Sequence, residues 1–176
     1  MRARWTTAGT IALLLSIATV TACSPEPTPT PTPTGFASEE EAFAAAEETY
    51  RAYVDALNEV DLSDPATFEP VYENLTGEAR DSSKRELTGY HADGLRKIGP
   101  TRLIAFDGDS FDANEGRLSG EVCLDVTQVE LENSEGRSVV PSDRNNFPLL
   151  EVEFTVDVAR QVLITSSNLV SDQPCQ

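Results

Sequence analysis

The dipeptide Gly99-Pro100 divides the chain into two parts that have different hydrophobic periods. Before it, apolar residues recur at spacings of three and four, which is typical of one face of an α-helix. After it, apolar and polar residues alternate, as they do in β-strands. Helices followed by a run of antiparallel strands predict an α+β domain, in which the helices pack on a sheet of four or more strands.

Three helices are predicted before the break. Ser38 and Glu41 form a capping box at the start of the first helix, which we expect to end near Val60. Asp64 is followed by proline, a favoured pairing of N-cap and first helical residue, and begins a second helix that is short or irregular. The third helix is predicted over about 78–95, with a weak apolar face.

The part after the break predicts a meander of antiparallel strands. They are expected at 101–106, 117–132, 138–140, 150–158 and 161–170, with turns at 114–116 and 133–136. Within 117–132 the apolar positions change face near Gln128, which predicts a β-bulge there. The sequence therefore favours 117–132 as the longest strand, with a bulge in it.

The N-terminus has the features of an export signal. Arg2 and Arg4 precede a short apolar run, and no acidic residue occurs before Glu26. The run is short and weakly apolar compared with the roughly 20 residues that a membrane span needs. Residues 20–23, Val-Thr-Ala-Cys, resemble the lipobox of bacterial lipoproteins. The resemblance implies a signal peptide over 1–22 and a diacylglycerol on Cys23.

The lipobox resemblance also implies a location. Cys23 would be the first mature residue, and its acyl chains would hold the protein in the cell membrane on the extracytoplasmic face. The alternatives are an ordinary secretory signal with a chance cysteine, or an uncleaved anchor. Residues 23–35 are rich in threonine and proline, which alternate over 27–34, and this predicts a disordered tether that favours polyproline II. At about 3.1 Å per residue it would reach roughly 35–40 Å. Residues 36–176 have the size of a single domain.

Charge limits the classes of partner. The chain has 13 Lys+Arg and 30 Asp+Glu, and the predicted signal peptide contains two of the arginines and none of the acids. The predicted mature chain therefore has 11 basic and 30 acidic residues, a formal net charge of −19. Such a surface repels nucleic acid and anionic lipid headgroups. We expect no nucleic-acid partner.

The three cysteines are interpreted through the export signal. Exported proteins reside in an oxidising space, where an odd cysteine needs an explanation. If Cys23 carries lipid, Cys123 and Cys175 remain as one pair, and we expect a disulfide between them. Two cysteines and the single histidine, His91, have no close spacing and do not make a zinc ligand set.

The mature domain resembles a family of small actinobacterial lipoproteins. The residues that carry the resemblance are the amphipathic N-terminal helix, 120–126 (GEVCLDV), 133–140 (NSEGRSVV) and the final Cys175. Members have the cone-shaped, cystatin-like fold of nuclear transport factor 2 and ketosteroid isomerase, in which a bent sheet wraps a helix and leaves a pocket. The resemblance allows a homodimer through the open sheet face. Some relatives are isomerases or polyketide cyclases, and many bind without chemistry.

Four residues are candidates for lining such a pocket. In the isomerases of the resembled superfamily an aspartate base works with a tyrosine donor, and here Tyr50, Tyr53, Asp55 and Tyr72 could face the pocket. The alternative for tyrosines on an apolar stripe is simple packing. No family motif transfers a catalytic residue to this chain, so none is assigned.

Two further groups of residues are candidate sites. His91 could be a general base, but its neighbours near a helix end favour a solvent-exposed residue. The run 107–112 has three aspartates, but Phe111 occupies a position where a calcium loop needs an oxygen ligand, and a hairpin turn explains the same residues. We expect no metal and no cofactor.

The sequence thus predicts a lipid-anchored envelope protein that binds a small ligand or an envelope protein without catalysis. The alternative is a small pocket enzyme of the isomerase or cyclase type. A passive structural lipoprotein is the third hypothesis. An open apolar cavity with a carboxylate and a tyrosine inside it would favour the enzyme over the other two.

Overall fold

The computed structural model describes residues 35–171 and Cys175, with only the backbone at Ser171. The predicted signal peptide, Cys23 and the rest of the tether before Gly35 lie outside these residues. The helices are α1 (Glu39–Asn58), α2 (Glu69–Glu73) and α3 (Gly77–Ala92), with a 3₁₀ turn at Pro65–Phe68 before α2. The strands are β1 (Arg96–Ile98), β2 (Arg102–Asp112), β3 (Arg117–Asp125), β4 (Glu130–Glu132), β5 (Leu149–Val156) and β6 (Val162–Ser171).

The helices pack on a four-stranded antiparallel sheet, and the predicted α+β class is confirmed. The strand order is β2-β3-β5-β6, and β1 and β4 form a separate two-stranded ribbon. Register shifts occur in the β2–β3 pair, between Leu103 and Ala105 and between Gly108 and Ser110. Such bulges bend and twist a strand, so they curve the sheet around the helices.

Helix α1 begins as its capping residues predict. The Ser38 hydroxyl accepts a 3.2 Å bond from the Glu41 N–H, and the Glu41 carboxylate accepts a 2.7 Å bond from the Ala37 N–H. The four buried residues of this helix recur every fourth position: Ala42, Ala46, Tyr50 and Val54. This spacing places them in one stripe that faces the sheet.

Two opposed glycines leave no room for a side chain, and one of them lets a side chain of α1 approach the sheet closely. Gly108 and Gly120 are directly opposite each other on β2 and β3. The Phe43 ring occupies the space where a Cβ of Gly108 would lie, and a Cβ on Gly120 would be 2.8 Å from the Asp107 carbonyl oxygen. Phe43, near the start of α1, therefore packs directly on the backbone of β2 at Gly108.

The core lies between the helices and the inner face of the sheet. Its largest fully buried side chains are Tyr50, Val71, Val122, Val152, Phe154 and Ile164. The segment between α2 and α3 closes one edge of the sheet, because the Thr76 N–H donates to the Ile164 carbonyl at 2.8 Å and the Ile164 N–H donates to the Asn74 carbonyl at 3.0 Å. This edge pairing holds α3 next to β6.

The predicted single strand over 117–132 is wrong. The strand stops at Asp125, whose carboxylate accepts bonds from the Thr127 hydroxyl at 2.6 Å and the Thr127 N–H at 2.9 Å. These bonds lower the pKa of Asp125. The Val129 N–H then donates to the Val126 carbonyl at 3.0 Å, which completes a turn. The change of face near Gln128 marks a break between two strands, because local side-chain hydrogen bonds compete with the backbone hydrogen bonds between strands.

Two other predictions for this half of the chain need correction, one for a turn and one for a strand. Residues 107–112 are neither a hairpin turn nor a calcium loop, since they belong to β2, and the turn follows at 113–116. Residues 138–140 contribute only one isolated bridge, from Ser138 to Glu132. The turn before them is present, because the Gly136 N–H donates to the Asn133 carbonyl at 2.9 Å.

Candidate functional site

A cavity of about 280 Å³ lies between the C-terminal half of α1, α3 and the sheet. Its apolar lining consists of Val54, Leu57, Leu75, Ala79, Leu124, Val126, Leu150 and Ile164. Aliphatic side chains from both layers therefore surround a space that a small apolar group can enter.

Two tyrosines of α1 line this cavity. The rings of Tyr50 and Tyr53 contact edge to face, with centroids 5.5 Å apart. Burial raises the pKa of Tyr50 to about 12, against a smaller opposing effect of its hydrogen bond with Ser167. The pKa of Tyr53 is also raised, first by burial and then by the nearby Tyr50 and Glu86. Both phenols thus stay protonated at neutral pH and can donate a hydrogen bond.

A carboxylate pair lines the same cavity from α3. Glu78 and Glu86 are both exposed, so they belong to the rim rather than to the floor. The Tyr90 hydroxyl donates a 2.6 Å hydrogen bond to Glu86 Oε1, one helical turn away. Burial, followed by the bond to Glu86, raises the pKa of Tyr90. The bond fixes the position of one Glu86 oxygen and leaves the other available.

The remaining polar lining is neutral. Hydroxyl and amide groups come from α3, from the start of β2 and from the second half of β6: Ser82, Ser83, Thr101, Ser166, Ser167 and Asn168. Among the described residues that line the cavity, none is Lys, Arg or His. The site therefore combines an apolar floor, neutral hydrogen-bonding groups and a negatively charged rim.

The four sequence candidates separate in the structure. Tyr50 and Tyr53 lie together in the cavity. Asp55 is exposed and lines a different surface depression, with Arg51 and Asn58. Tyr72 is buried beside α3, where the Lys84 ammonium lies 5.3 Å from its ring centroid. Asp55 points away because it follows Val54, and adjacent helical residues face different directions.

His91 is exposed in the last turn of α3. Its Nδ1 atom lies 2.7 Å from the Leu62 carbonyl oxygen, and its ring contacts Phe68 edge to face at 6.4 Å. The histidine thus ties α3 to the loop after α1 and does not line the cavity.

The two cysteines are joined beside the start of β5. A disulfide connects Cys123 of β3 to Cys175, with Cα atoms 5.8 Å apart. The Cys175 N–H also donates to the Phe147 carbonyl at 2.9 Å. Both contacts hold the C-terminus next to the start of β5, where Leu150 lines the cavity.

The cavity contains residues that sequence reasoning missed. Glu86 is the main one, and its signal was its spacing of four from Tyr90, a distance at which helical side chains meet. The serines of β6 carried no signal, because their position over the cavity depends on the pairing of β6 with β5.

Other depressions lie on the described surface, and one of about 590 Å³ is lined by polar residues such as Arg117 and Glu153. No three His, Cys, Asp or Glu side chains converge to hold a metal ion among residues 35–171 and Cys175. Within the same residues, every helix is too short or too polar to cross a bilayer.

The outer sheet face has a row of carboxylates, Asp107, Glu121 and Glu151, on adjacent strands.

The fold around this cavity is similar to two solved structures. One is a protein of Novosphingobium aromaticivorans, provisionally described as an aromatic ring hydroxylase, with a TM-score of 0.54, 13% identity and coverage of 76% of this chain and 92% of that one. The other is the intermembrane space region of the chloroplast protein ARC6, with a TM-score of 0.52, 14% identity and coverage of 73% and 96%. No protein-family model and no curated protein matches the sequence. At such identities the likeness shows the fold alone, that of nuclear-transport-factor-2-like proteins.

Proposed function

We propose that this protein is a lipid-anchored module of the cell envelope that binds a small ligand in the cavity without transforming it. The observation that carries the proposal is the open cavity behind Tyr50 and Tyr53, on a chain whose first 23 residues resemble a lipoprotein signal. The lining supports binding, because it joins an apolar floor to a few polar groups that can orient a ligand.

The attachment of the tether is compatible with this function. A Cβ on Gly35 would be 2.8 Å from the guanidinium carbon of Arg160, so this side chain packs on the residue where the tether meets the domain. From Glu39 to Tyr53 the helix rises about 20 Å. The anchored end of the domain is thus separate from the cavity, and anchoring would leave the rim accessible.

The binding proposal is tested on protein purified from its own membrane. Intact mass before and after reduction reports the cleavage site, the lipid on Cys23 and the disulfide. Native mass spectrometry of the same sample reports a co-purified small molecule. We expect a bound mass in the natural protein and none in Ala79→Leu, in which a larger side chain occupies the cavity. An unprocessed chain would refute the anchoring, and equal occupancy in both proteins would refute the cavity as the binding site.

A second function is favoured by one specific observation. Glu86 and Tyr53 line the same cavity, and a proton-transferring isomerase uses such a carboxylate and phenol. In that hypothesis Glu86 accepts a proton from carbon, and Tyr53 donates a hydrogen bond to the enolate oxygen that forms. Because Glu86 is exposed at the rim and does not lie inside the cavity, binding without catalysis stays the first proposal.

The test of the enzyme hypothesis is proton exchange. An enolisable cyclic ketone is incubated with the protein in deuterated water, and deuterium uptake next to the carbonyl is measured. Catalysis predicts uptake above background that is lost in both Glu86→Gln and Tyr53→Phe. Uptake that persists in both variants would rule out this pair as the catalytic groups.

The homodimer through the sheet face stays a prediction. The row Asp107, Glu121 and Glu151 lies on the outer face, and two copies that met there would oppose these carboxylates. Like charges at an interface oppose association. We therefore propose the single chain as the binding unit.

A further inference from the structure

The size of the cavity limits its occupant. A cavity of about 150 Å³ lined by aliphatic and aromatic side chains accepts benzene. The cavity here is about 280 Å³. By this comparison it accommodates an apolar body of about two fused rings, with any polar group directed toward the rim.

The charges at the cavity limit the polar group of the occupant. Its ionisable lining consists of Tyr50, Tyr53, Glu78 and Glu86, without a cationic side chain among the described lining residues. An anionic ligand would bring a third negative charge to the two glutamates with no partner for it. A cationic group would instead pair with a carboxylate, and charge-assisted hydrogen bonds are the stronger ones.

The positions of three side chains point to where the cation would lie. The Tyr90 hydroxyl holds one oxygen of Glu86, which leaves the second oxygen as an acceptor. Tyr53 and Glu86 line the same cavity, and the charge of Glu86 contributes to the raised pKa of the Tyr53 phenol. An ammonium group near both would have a carboxylate acceptor and an electron-rich ring face, the two partners that organic cations prefer in proteins.

We propose that the cavity selects a small amine whose apolar body is about two rings in size, and that Glu86 is the residue that recognises the ammonium group. The proposal rests on the binding function proposed above, and it adds the chemical class of the ligand. The strongly acidic surface also favours an amine over a neutral or anionic ligand, because it raises the local concentration of cations.

The test compares three probes of matched shape: 2-naphthylmethylamine, 2-naphthylmethanol and 2-naphthoate. Each is titrated calorimetrically into the full chain, purified in a nonionic detergent. We expect the amine to bind about three- to tenfold more tightly than the alcohol, and the carboxylate to bind most weakly. The preference should be larger at low ionic strength than at high ionic strength.

Variants separate the amine proposal from the binding function. Glu86→Gln still accepts the Tyr90 bond but has no charge, so it should remove the preference for the amine while the alcohol binds as before. Glu121→Gln removes the same charge on the outer sheet face and should change neither affinity. Ala79→Leu should abolish binding of all three probes. Any heat that remains in this variant then measures partition of the probe into detergent. If this variant unfolds, Ser83→Leu blocks the cavity from a second position.

Each outcome gives a decision. Equal affinities for amine and alcohol that both depend on Ala79 would overturn amine selection and leave the binding function in place. Tighter binding of the carboxylate, or an amine preference that survives Glu86→Gln, would overturn the role of Glu86. If no probe binds better to the natural protein than to the blocked variants, the amine proposal fails, and native mass spectrometry then decides the binding function by itself.

Discussion

The side-chain amide of Asn58 is bonded at both ends to the backbone of Thr101. Asn58 Nδ2 donates to the Thr101 carbonyl at 2.9 Å, and the Thr101 N–H donates to Asn58 Oδ1 at 2.8 Å. The two residues are 43 positions apart, at the end of α1 and just before β2. Since Thr101 lines the cavity, this pair fixes one of its walls.

Replacement of Asn58 tests this contact. Asn58→Ala removes both bonds and leaves two partly buried backbone groups unsatisfied, so we expect a loss of about 1–3 kcal/mol in the free energy of unfolding. Asn58→Asp keeps the acceptor and loses the donor, and should be intermediate. Urea unfolding measures both. A urea unfolding curve for Asn58→Ala that matches the curve of the natural protein would contradict a stabilising role of these two bonds.

Gly99 should not tolerate a side chain. Its φ is +75°, and an added Cβ would overlap the backbone carbonyl of Gln128. Gly136 is a matched control, because its φ is +74° and no atom lies within 4 Å of its Cβ position. We expect Gly136→Ala to cost about 1–2 kcal/mol from the backbone conformation alone. Gly99→Ala should cost clearly more, and equal costs in urea unfolding would show that Gln128 moves freely.

The disulfide should contribute substantially to stability. It closes a chain segment with a sequence separation of 52 residues. The chain-entropy model assigns about 4 kcal/mol to a loop of this length, and native disulfides typically contribute 2–4 kcal/mol. Cys175→Ser should therefore lower the urea midpoint, and reductant should lower it equally in the natural protein. The variant itself should not respond to reductant, and a response would indicate another reducible bond.

Stability should decline at alkaline pH. The pKa of Tyr50 is raised from 10.0 to about 12 by burial, and the pKa values of Tyr53, Tyr72 and Tyr90 are raised as well. A raised pKa of an acid means that the unfolded chain loses the proton first. The contribution of Tyr50 is thus fully present below pH 10 and is lost as the pH rises toward 12.

The check is urea unfolding between neutral and alkaline pH. In the natural protein, the free energy of unfolding should fall from about pH 10 onward. Tyr50→Phe should make this fall shallower, because one ionising group is removed from the unfolded chain. The same slope in both proteins would mean that Tyr50 ionises in the folded state as easily as in the unfolded one.

The carboxylate row on the sheet should be a source of instability. Glu121 is directly opposite Asp107 on one side and Glu151 on the other. Like charges at opposed positions destabilise a sheet, and such pairs are worth roughly 0.2–1 kcal/mol. Glu121→Gln should stabilise the protein by about this amount at low salt and by less at high salt. If Glu121→Gln instead lowers the free energy of unfolding at every salt concentration, Glu121 makes a favourable contact in the natural protein.

The helices were well predicted from local signals. Ser38, Glu41 and the four-residue spacing of the stripe located α1, because capping and periodicity act within a few residues. The strand predictions were weaker. The run after Arg117 looked continuous, but the side chain of Asp125 bonds to Thr127 and ends the strand. Competition between a local side-chain bond and a distant partner strand cannot be read from periodicity.

By itself, the sequence determined the order of helices and strands, the excess of acidic residues and the number of cysteines. These properties depend on composition, on local period and on count. Only the tertiary structure decided the cavity. Tyr53 and Glu86 are 33 positions apart in the sequence, and β6 lies more than 70 positions beyond Glu86. They meet because the packing of α1 and α3 on the sheet places both side chains around one cavity, beside the serines of β6.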